Sequence, residues 1–457
     1  MKLSLEYIQQ ATGGSIIREA QGLEITGVTT DSRQVKSGDI FFAIQGENFD
    51  GHQFVEQAFA KGASSAVVSD VGKLYGDRQG LIVVADTIQA LQDLASSWRK
   101  NFSLPLIAVT GSVGKTTTRD ILGAILSTRW STLIPQANYN NDIGLPLTLL
   151  RLGVEHKAAV VELAMRGPGE IQRLVRIARP TAAVITNVEP VHLETLGSLE
   201  NIAKAKCEIL ESVKDFAIIN GDNPYLEKAA ADYTCPRYTF GYNENCDFRL
   251  VSTALTGGRL NVYARLLKEE VRFEFAIPAR QLAGNIIAAA AVAYLYGFNV
   301  EEIDQGLTQY KPTGNRLSIT SLDQGGFLIN DTYNANPVSM VAALETGREI
   351  AGNRRFVAVL GDMYELGEYE QEGHRSVGAK AAQLGVDILI TIGEKSRLIS
   401  EEAYNCGLPA QNIFHFSVKE DSIPLLHNEI SKKDTVLFKA SRGMQLETLV
   451  NDWLKQD

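Results

Sequence analysis

Residues 109–118 read VTGSVGKTTT, and the fold turns on how that stretch is understood. The common ATPase loop places four residues between its first glycine and the Gly-Lys pair. Here only Ser112 and Val113 separate Gly111 from Gly114, so the loop is short by that count. Its setting still speaks for phosphate. The apolar run LPLIAVT (104–110) predicts a buried strand ending at Thr110, and TTRDILGAIL predicts an amphipathic helix starting near Thr116. Backbone N–H groups of such a turn, together with the helix N-terminus, form an anion nest. Lys115 adds a movable positive charge, and the Thr116 hydroxyl can reach a magnesium ion on the same phosphates. The competing reading is a tight strand-to-helix turn that merely carries Lys115.

Working outward, the chain has 457 residues and about three domains on the usual ~150-residue scale. Hydrophobic residues make up 45% and charged residues 21%, as in an ordinary soluble globular protein. A net charge of -10 argues against a non-specific nucleic-acid binder, which needs a basic surface, and leaves room for a local basic pocket for phosphates. Cys207, Cys235, Cys246 and Cys406 are scattered without ligand spacing, so they read as reduced thiols. The start, MKLSLEYIQQ, lacks the apolar core of a secretion signal. The run IIAAAAVAYLYGF (286–298) is too short to span a bilayer and predicts a buried helix. A cytoplasmic, monomeric protein is expected.

Three regions separate by pattern, with boundaries expected at 1–100, 101–312 and 313–457. The first holds short strand-like runs such as SGDIFFAIQGENFDGHQF and GLIVVAD. In the second, AAVVELA (158–164), TAAVITNV (181–188) and FAIIN (216–220) are continuous apolar runs, as in a parallel sheet covered on both faces. Residues 247–277 then read as antiparallel strands around a Gly-Gly turn, and a helix over 281–297 returns to the sheet. After the turn-rich joint YKPTGNR, the strands GFLIND, RFVAVLGD, VDILITIG and TVLFKAS alternate with helical patterns. That is a second doubly wound unit, so the fold class is α/β with a small first domain, a central parallel-sheet P-loop domain carrying an antiparallel addition, and a Rossmann-like C-terminal domain.

The shortened loop resembles that of the Mur ligases, and the likeness extends through nearly the whole chain. GVTTDSRQVKSGDIFFAIQGENFDGHQF is similar to the family's UDP-binding segment. NYNNDIGLPLTLL, VELAMRGPGEI, ITNVEPVHLETLGSLENIAKAKCEIL and NGDNP are similar to its central blocks. NDTYNANPVSM, LGDMYELG and FKASRGMQLE resemble the blocks of the member that adds a dipeptide, YNANP being the most discriminating. The resemblance implies an ATP-dependent ligase that adds D-Ala-D-Ala to UDP-MurNAc-tripeptide through an acyl phosphate. It implies that ATP is held by Thr110, Gly111, Ser112, Val113, Gly114, Lys115, Thr116 and Thr117. It also assigns ATP contacts to Asn285, Arg316 and Asp331. Magnesium, as two ions, would be bound through Thr116, Glu162, His192 and Lys206, with Lys115, His192 and Lys206 serving the chemistry. Lys206 would carry a CO2-derived carbamate, since a protonated lysine would be repelled by the metal ions. Lys204 is two residues away and points elsewhere on a helix. At the adenine end the chain departs from the family: Asn285 is kept, while Gly284 and Ala288 replace a histidine and a second asparagine.

By the same resemblance Thr30, Asp31, Ser32, Arg33, Gly51 and His52 would hold the uridine nucleotide. Tyr333, Asn334, Asn336, Pro337, Asp362 and Arg442 would hold the dipeptide. Each has a plainer reading: Ser and Asp as turn residues, Asn-Pro as a helix entry, Arg and Asp as surface ion pairs. Two rival functions remain open at this stage. A folylpolyglutamate synthase-like ligase is disfavoured by the long UDP-type first domain. A non-catalytic nucleotide-binding regulatory protein is favoured only by the altered adenine segment.

Overall fold

A computed structural model describes residues 2–18, 22–46, 49–70, 80–136, 138–191, 193–256 and 258–455. The apolar runs of the middle region lie side by side in a nine-stranded sheet. Leu106–Thr110 sits between Ala158–Glu162 and Ala182–Ile185, followed by Phe216–Asn220 and Arg237–Gly241, all parallel. Their continuous apolar character follows from burial on both faces. Ile107 and Val109 join one core cluster, and Leu106 and Ala108 the other, as the two-residue period of a strand demands. In register, Thr110 pairs with Ile185 and Val109 with Glu162, which brings the carboxyl ends of three strands to one edge. Ligands of open parallel sheets bind at that edge.

Beyond Arg237–Gly241 the sheet continues through Phe248–Thr256, then antiparallel through Arg259–Leu266 and Glu269–Phe275. This is the expected antiparallel addition; Gly257 of its turn lies outside the described residues. The alanine-rich run forms the helix Ala283–Leu295, and Ile286 through Ala293 are fully buried. Small side chains let it pack against Lys115–Leu126, the helix after the phosphate loop. Among the described residues no helix is long and apolar enough to cross a membrane. All four cysteines are free.

The first region carries a five-stranded sheet in the order Ser15–Arg18, Leu81–Val83, Ser65–Val68, Asp39–Phe42, Gly27–Thr29. Its helix Thr87–Arg99, capped by the Asp86 carboxylate, packs on the central helices Gly144–Leu149 and Glu170–Ala178. The third region carries a six-stranded sheet ordered Ser318–Ser321, Phe327–Asp331, Thr435–Lys439, Phe356–Gly361, Ile388–Ile392, Ile413–Phe416. All pairs are parallel except the first. Several strands escaped the sequence reading, Arg237–Gly241 and Ile413–Phe416 among them. Thr132–Leu133 has only two residues, and Ser318–Ser321 is a polar edge strand without an apolar run.

Candidate active site

The short loop leads into a helix N-terminus that can serve as an anion nest, while the N–H groups of Ser112 and Val113 are held by Asn187. Gly111 has φ 148° and Gly114 has φ 82°, where side chains are strained. A Cβ on Gly111 would strike the Thr186 hydroxyl, and one on Gly114 the Asn285 amide. The strand end at 186–189 braces the loop from behind: Asn187 Oδ1 accepts from Val113 N (2.9 Å), and Thr186 Oγ1 donates to the Val113 carbonyl (2.6 Å). Helix Lys115–Leu126 begins with no side-chain cap. The N–H groups of its first turn therefore have no helical partner and face the opening. Positive helix-end charge and unpaired donors select an anion there.

Around this nest the charged groups are interlocked. Lys115 Nζ donates to the carbonyls of Gly111 (2.8 Å) and Ser112 (3.1 Å), folded back over the loop. Thr116 Oγ1 donates to Glu162 Oε2 at 2.7 Å, and Asn140 Nδ2 to Glu162 Oε1 at 2.8 Å. Burial works to raise the Glu162 carboxyl, but Lys115, Arg119 and Arg316 outweigh it and hold the group below the usual carboxylate range. Burial pushes the Lys115 amine down; Glu162 opposes this and Arg316 adds to it. Lys206, on helix Leu199–Cys207, is 2% exposed, and its amine donates to no acceptor among the described residues. Burial first, and Lys115 second, lower it well below an ordinary lysine. His192 lies outside the described residues.

A cavity of about 530 Å³ joins the nest to the third region. One wall carries Ser112–Thr117, Glu162 and Asn285; the other carries Arg316, Asp331, Tyr333, Asn334 and Asn336. Most of the expected ATP and dipeptide residues thus meet in one cleft. Arg316 lies over the Tyr333 ring, its guanidinium carbon 3.7 Å from the centroid, a cation–π pair. Asn285 Nδ2 donates to Thr118 Oγ1 (2.9 Å) and the Gly114 carbonyl (3.3 Å), so it braces the loop. Gly284 leaves open space: a Cβ there would meet only Phe240, at 3.9 Å.

Other expected residues have structural partners. Asn336 caps helix Pro337–Ala351, its Oδ1 accepting from Ser339 N at 2.8 Å. Buried Asp362 lies outside the cleft lining and accepts from Ser396 N at 2.7 Å, fixing a neighbouring turn. Arg442 pairs with Glu447 at 2.7 Å and reaches the Tyr333 ring only at 5.8 Å. Pro337 and Thr110 are buried beneath the cleft rather than lining it. In the first region, Arg33 grips Asp31 through paired 2.9 Å bonds and holds its carboxyl at about 2. Ser32 donates to Gln57 (2.7 Å), and Thr30 is half-buried beside them. His52 is buried with both ring nitrogens engaged, by Asp50 at 2.7 Å and by Ser69 N at 2.9 Å. Gly51 permits close approach of Ile44 backbone, where a Cβ would sit 2.7 Å from the carbonyl oxygen. These last two shape the loop and offer a ligand no free ring nitrogen.

The sequence reading missed Asn140, Phe240, Tyr242 and Lys439, all lining the cleft. Asn140 sat in the quoted block NYNNDIG and could have been found there. Lys439 sat in the quoted block FKASRGMQLE, but its partners, more than a hundred positions away, gave its role no local signal.

Comparison with known proteins gives a consistent result. Residues 24–99, 109–293 and 315–442 match, in turn, the Mur ligase family catalytic domain, the Mur ligase middle domain and the Mur ligase glutamate ligase domain. The UDP-N-acetylmuramoyl-tripeptide–D-alanyl-D-alanine ligase of Bacillus subtilis (strain 168) is 37% identical, over 100% of this chain and 99% of the relative. A crystal structure of MurF from Acinetobacter baumannii superposes with a TM-score of 0.89 at 32% identity, covering 100% of this chain and 99% of that one. MurF ligase from Thermotoga maritima, in complex with ADP, gives 0.81 at 28% identity over 94% and 97% of the two chains.

Proposed function

Because this chain belongs to the Mur ligase family, we propose that it is an ATP-dependent ligase joining D-alanyl-D-alanine to UDP-N-acetylmuramoyl-tripeptide in peptidoglycan precursor synthesis. One observation carries the reading: an uncapped helix N-terminus with Lys115, Thr116 and Glu162 faces Arg316, Asp331 and Asn334 across a single cleft. The nest is suited to the ATP phosphates and the opposite wall to an incoming amine.

The chemistry explains the residue types. A carboxylate that attacks a triphosphate approaches a highly anionic centre, so catalysis is chiefly positioning and charge stabilisation. Lys115 and Arg316 would draw the γ-phosphate from opposite walls, and the first-turn N–H groups would hold it in line. Asp331, at its strand end, would hold the ribose, and the side-chain amide of Asn334 is exposed and without a partner among the described residues. That amide offers a donor and an acceptor to a small zwitterion. An acyl phosphate formed here would hydrolyse in open water, so the enclosing walls protect it until the amine attacks.

Magnesium fits the donor set. Thr116 Oγ1 and Glu162 Oε2, 2.7 Å apart beside the nest, are hard oxygen ligands, and magnesium in phosphate sites takes few protein ligands. It would neutralise phosphate charge when bound. His192 is proposed as a ligand on the family resemblance alone. Lys206 fits a carbamate for a physical reason: burial and Lys115 favour the neutral amine that reacts with CO2. Carbon-13 bicarbonate should give a carbamate resonance that Lys206→Ala abolishes; the same resonance in both proteins would remove the assignment. We place the reaction in the cytoplasm and on a monomer, with the uridine nucleotide held by residues 1–100, ATP by 101–312 and the dipeptide by 313–457.

Phosphate release tests the reading. It should require ATP, the UDP-tripeptide and D-Ala-D-Ala together, and release without the dipeptide or without the UDP-tripeptide would contradict it.

A further inference from the structure

Lys439 ends the strand Thr435–Lys439 and is paired in register with Asp331 on the neighbouring parallel strand. Its side chain is buried, and its Nζ donates to Asp331 Oδ2 at 2.6 Å and to the Asn334 carbonyl at 2.9 Å. The other Asp331 oxygen accepts from Leu317 N at 2.9 Å. Leu317 holds φ 47°, a conformation a leucine rarely adopts, directly after Arg316. One ammonium thus ties three segments: the joint that presents Arg316, the strand end that presents Asp331 and the loop that presents Asn334. Both acceptors are engaged by the same buried cation, so losing it takes a hydrogen bond from the half-buried Asp331 carboxylate and one from the Asn334 carbonyl at once.

We propose that Lys439 is a positioning residue that holds the nucleotide side and the dipeptide side of the cleft in register. It need not touch either substrate. Its charge fixes Asp331, Asp331 fixes the Arg316–Leu317 turn, and the remaining bond fixes Asn334 relative to both. Lysine suits this place because its tetrahedral ammonium reaches a carboxylate and a carbonyl from one point.

The test has one arm on the free chain and one on the reaction, the second resting on the function proposed above. In Lys439→Met, hydrogen exchange at the Leu317 and Tyr333 amides should both quicken by about tenfold or more, since local opening governs exchange. KM for ATP and for D-Ala-D-Ala should both rise by a similar factor, roughly tenfold, while UDP-tripeptide binding is unchanged. Lys439→Arg, which keeps the cation, should recover both KM values together. Asp331→Asn provides a second variant should Lys439→Met fail to fold: by removing the anchor of Lys439, it should quicken exchange at Tyr333 as well as at Leu317. Unchanged exchange at Tyr333 in either variant would overturn the proposal, as would a KM effect confined to ATP. An inactive wild type would overturn the ligase reading alone, because the exchange arm needs no substrate.

Discussion

At the residue scale, Asn334 and Asn336 illustrate how like residues two positions apart divide their work. Asn336 is committed to the helix, its side chain capping Ser339 N while Ser339 Oγ accepts from its own N–H. Asn334, exposed in the cleft lining, has a side-chain amide with no partner among the described residues. Asn336→Ala should therefore cost ~1 kcal/mol of stability, the usual loss for a cap. Asn334→Ala should leave stability nearly unchanged and weaken D-Ala-D-Ala by ~1–3 kcal/mol through an unpaired substrate group. Thermal unfolding and dipeptide KM, measured on both variants, check the division; equal effects of the two on the dipeptide would contradict it. The sequence carried the pair YNANP but not this asymmetry, because capping depends on which asparagine takes extended backbone before the helix. Lys115, Thr116 and Glu162 were legible because each sits at a fixed offset from a strand or loop. Lys439 was not, since its meaning comes from lying opposite Asp331 across a ladder.

At the element scale, the strand–loop–helix unit at 106–126 reads straight from sequence, because apolar run, glycines and helical period all agree. What sequence could not supply is the brace behind the loop, where Thr186, Asn187 and Asn285 arrive from distant segments. The same holds for helix Glu370–Gln383 in the third region. Fully buried His374 accepts from Met363 N at 3.1 Å through Nε2 and faces the Glu370 carbonyl at 2.7 Å through Nδ1. That pattern needs the neutral ring, and burial lowers its affinity for protons. A folded value below the unfolded one of about 6.5 means the unfolded chain binds more protons in between. The contribution of His374 is thus complete above about pH 6.5 and is lost as pH falls toward the folded value. Unfolding midpoints measured from pH 7.5 down to 5 should drop more steeply in the wild type than in His374→Gln. Parallel slopes would remove His374 from the acid response.

At the scale of the whole molecule, the third region meets the central one at more than the cleft. Thr313 in the joint donates its hydroxyl to Asp120, on the helix that begins at the phosphate loop, and Asp120 in turn accepts from Arg119 Nε at 2.7 Å. Gly367, with φ 54°, packs against Glu194 on the far side. Contacts at the joint and between Gly367 and Glu194 thereby tie the two regions together, which no local pattern encodes. The parallel sheets were legible as apolar runs; their approach to one another was visible only through family resemblance. In the proposed reaction this approach sets a carboxylate against the γ-phosphate before the amine arrives. Oxygen-18 in the terminal carboxylate of the UDP-tripeptide tests it most directly, read in the phosphate released by the three-substrate assay. Each phosphate formed should carry one labelled oxygen; unlabelled phosphate accompanying full product formation would rule out the acyl phosphate.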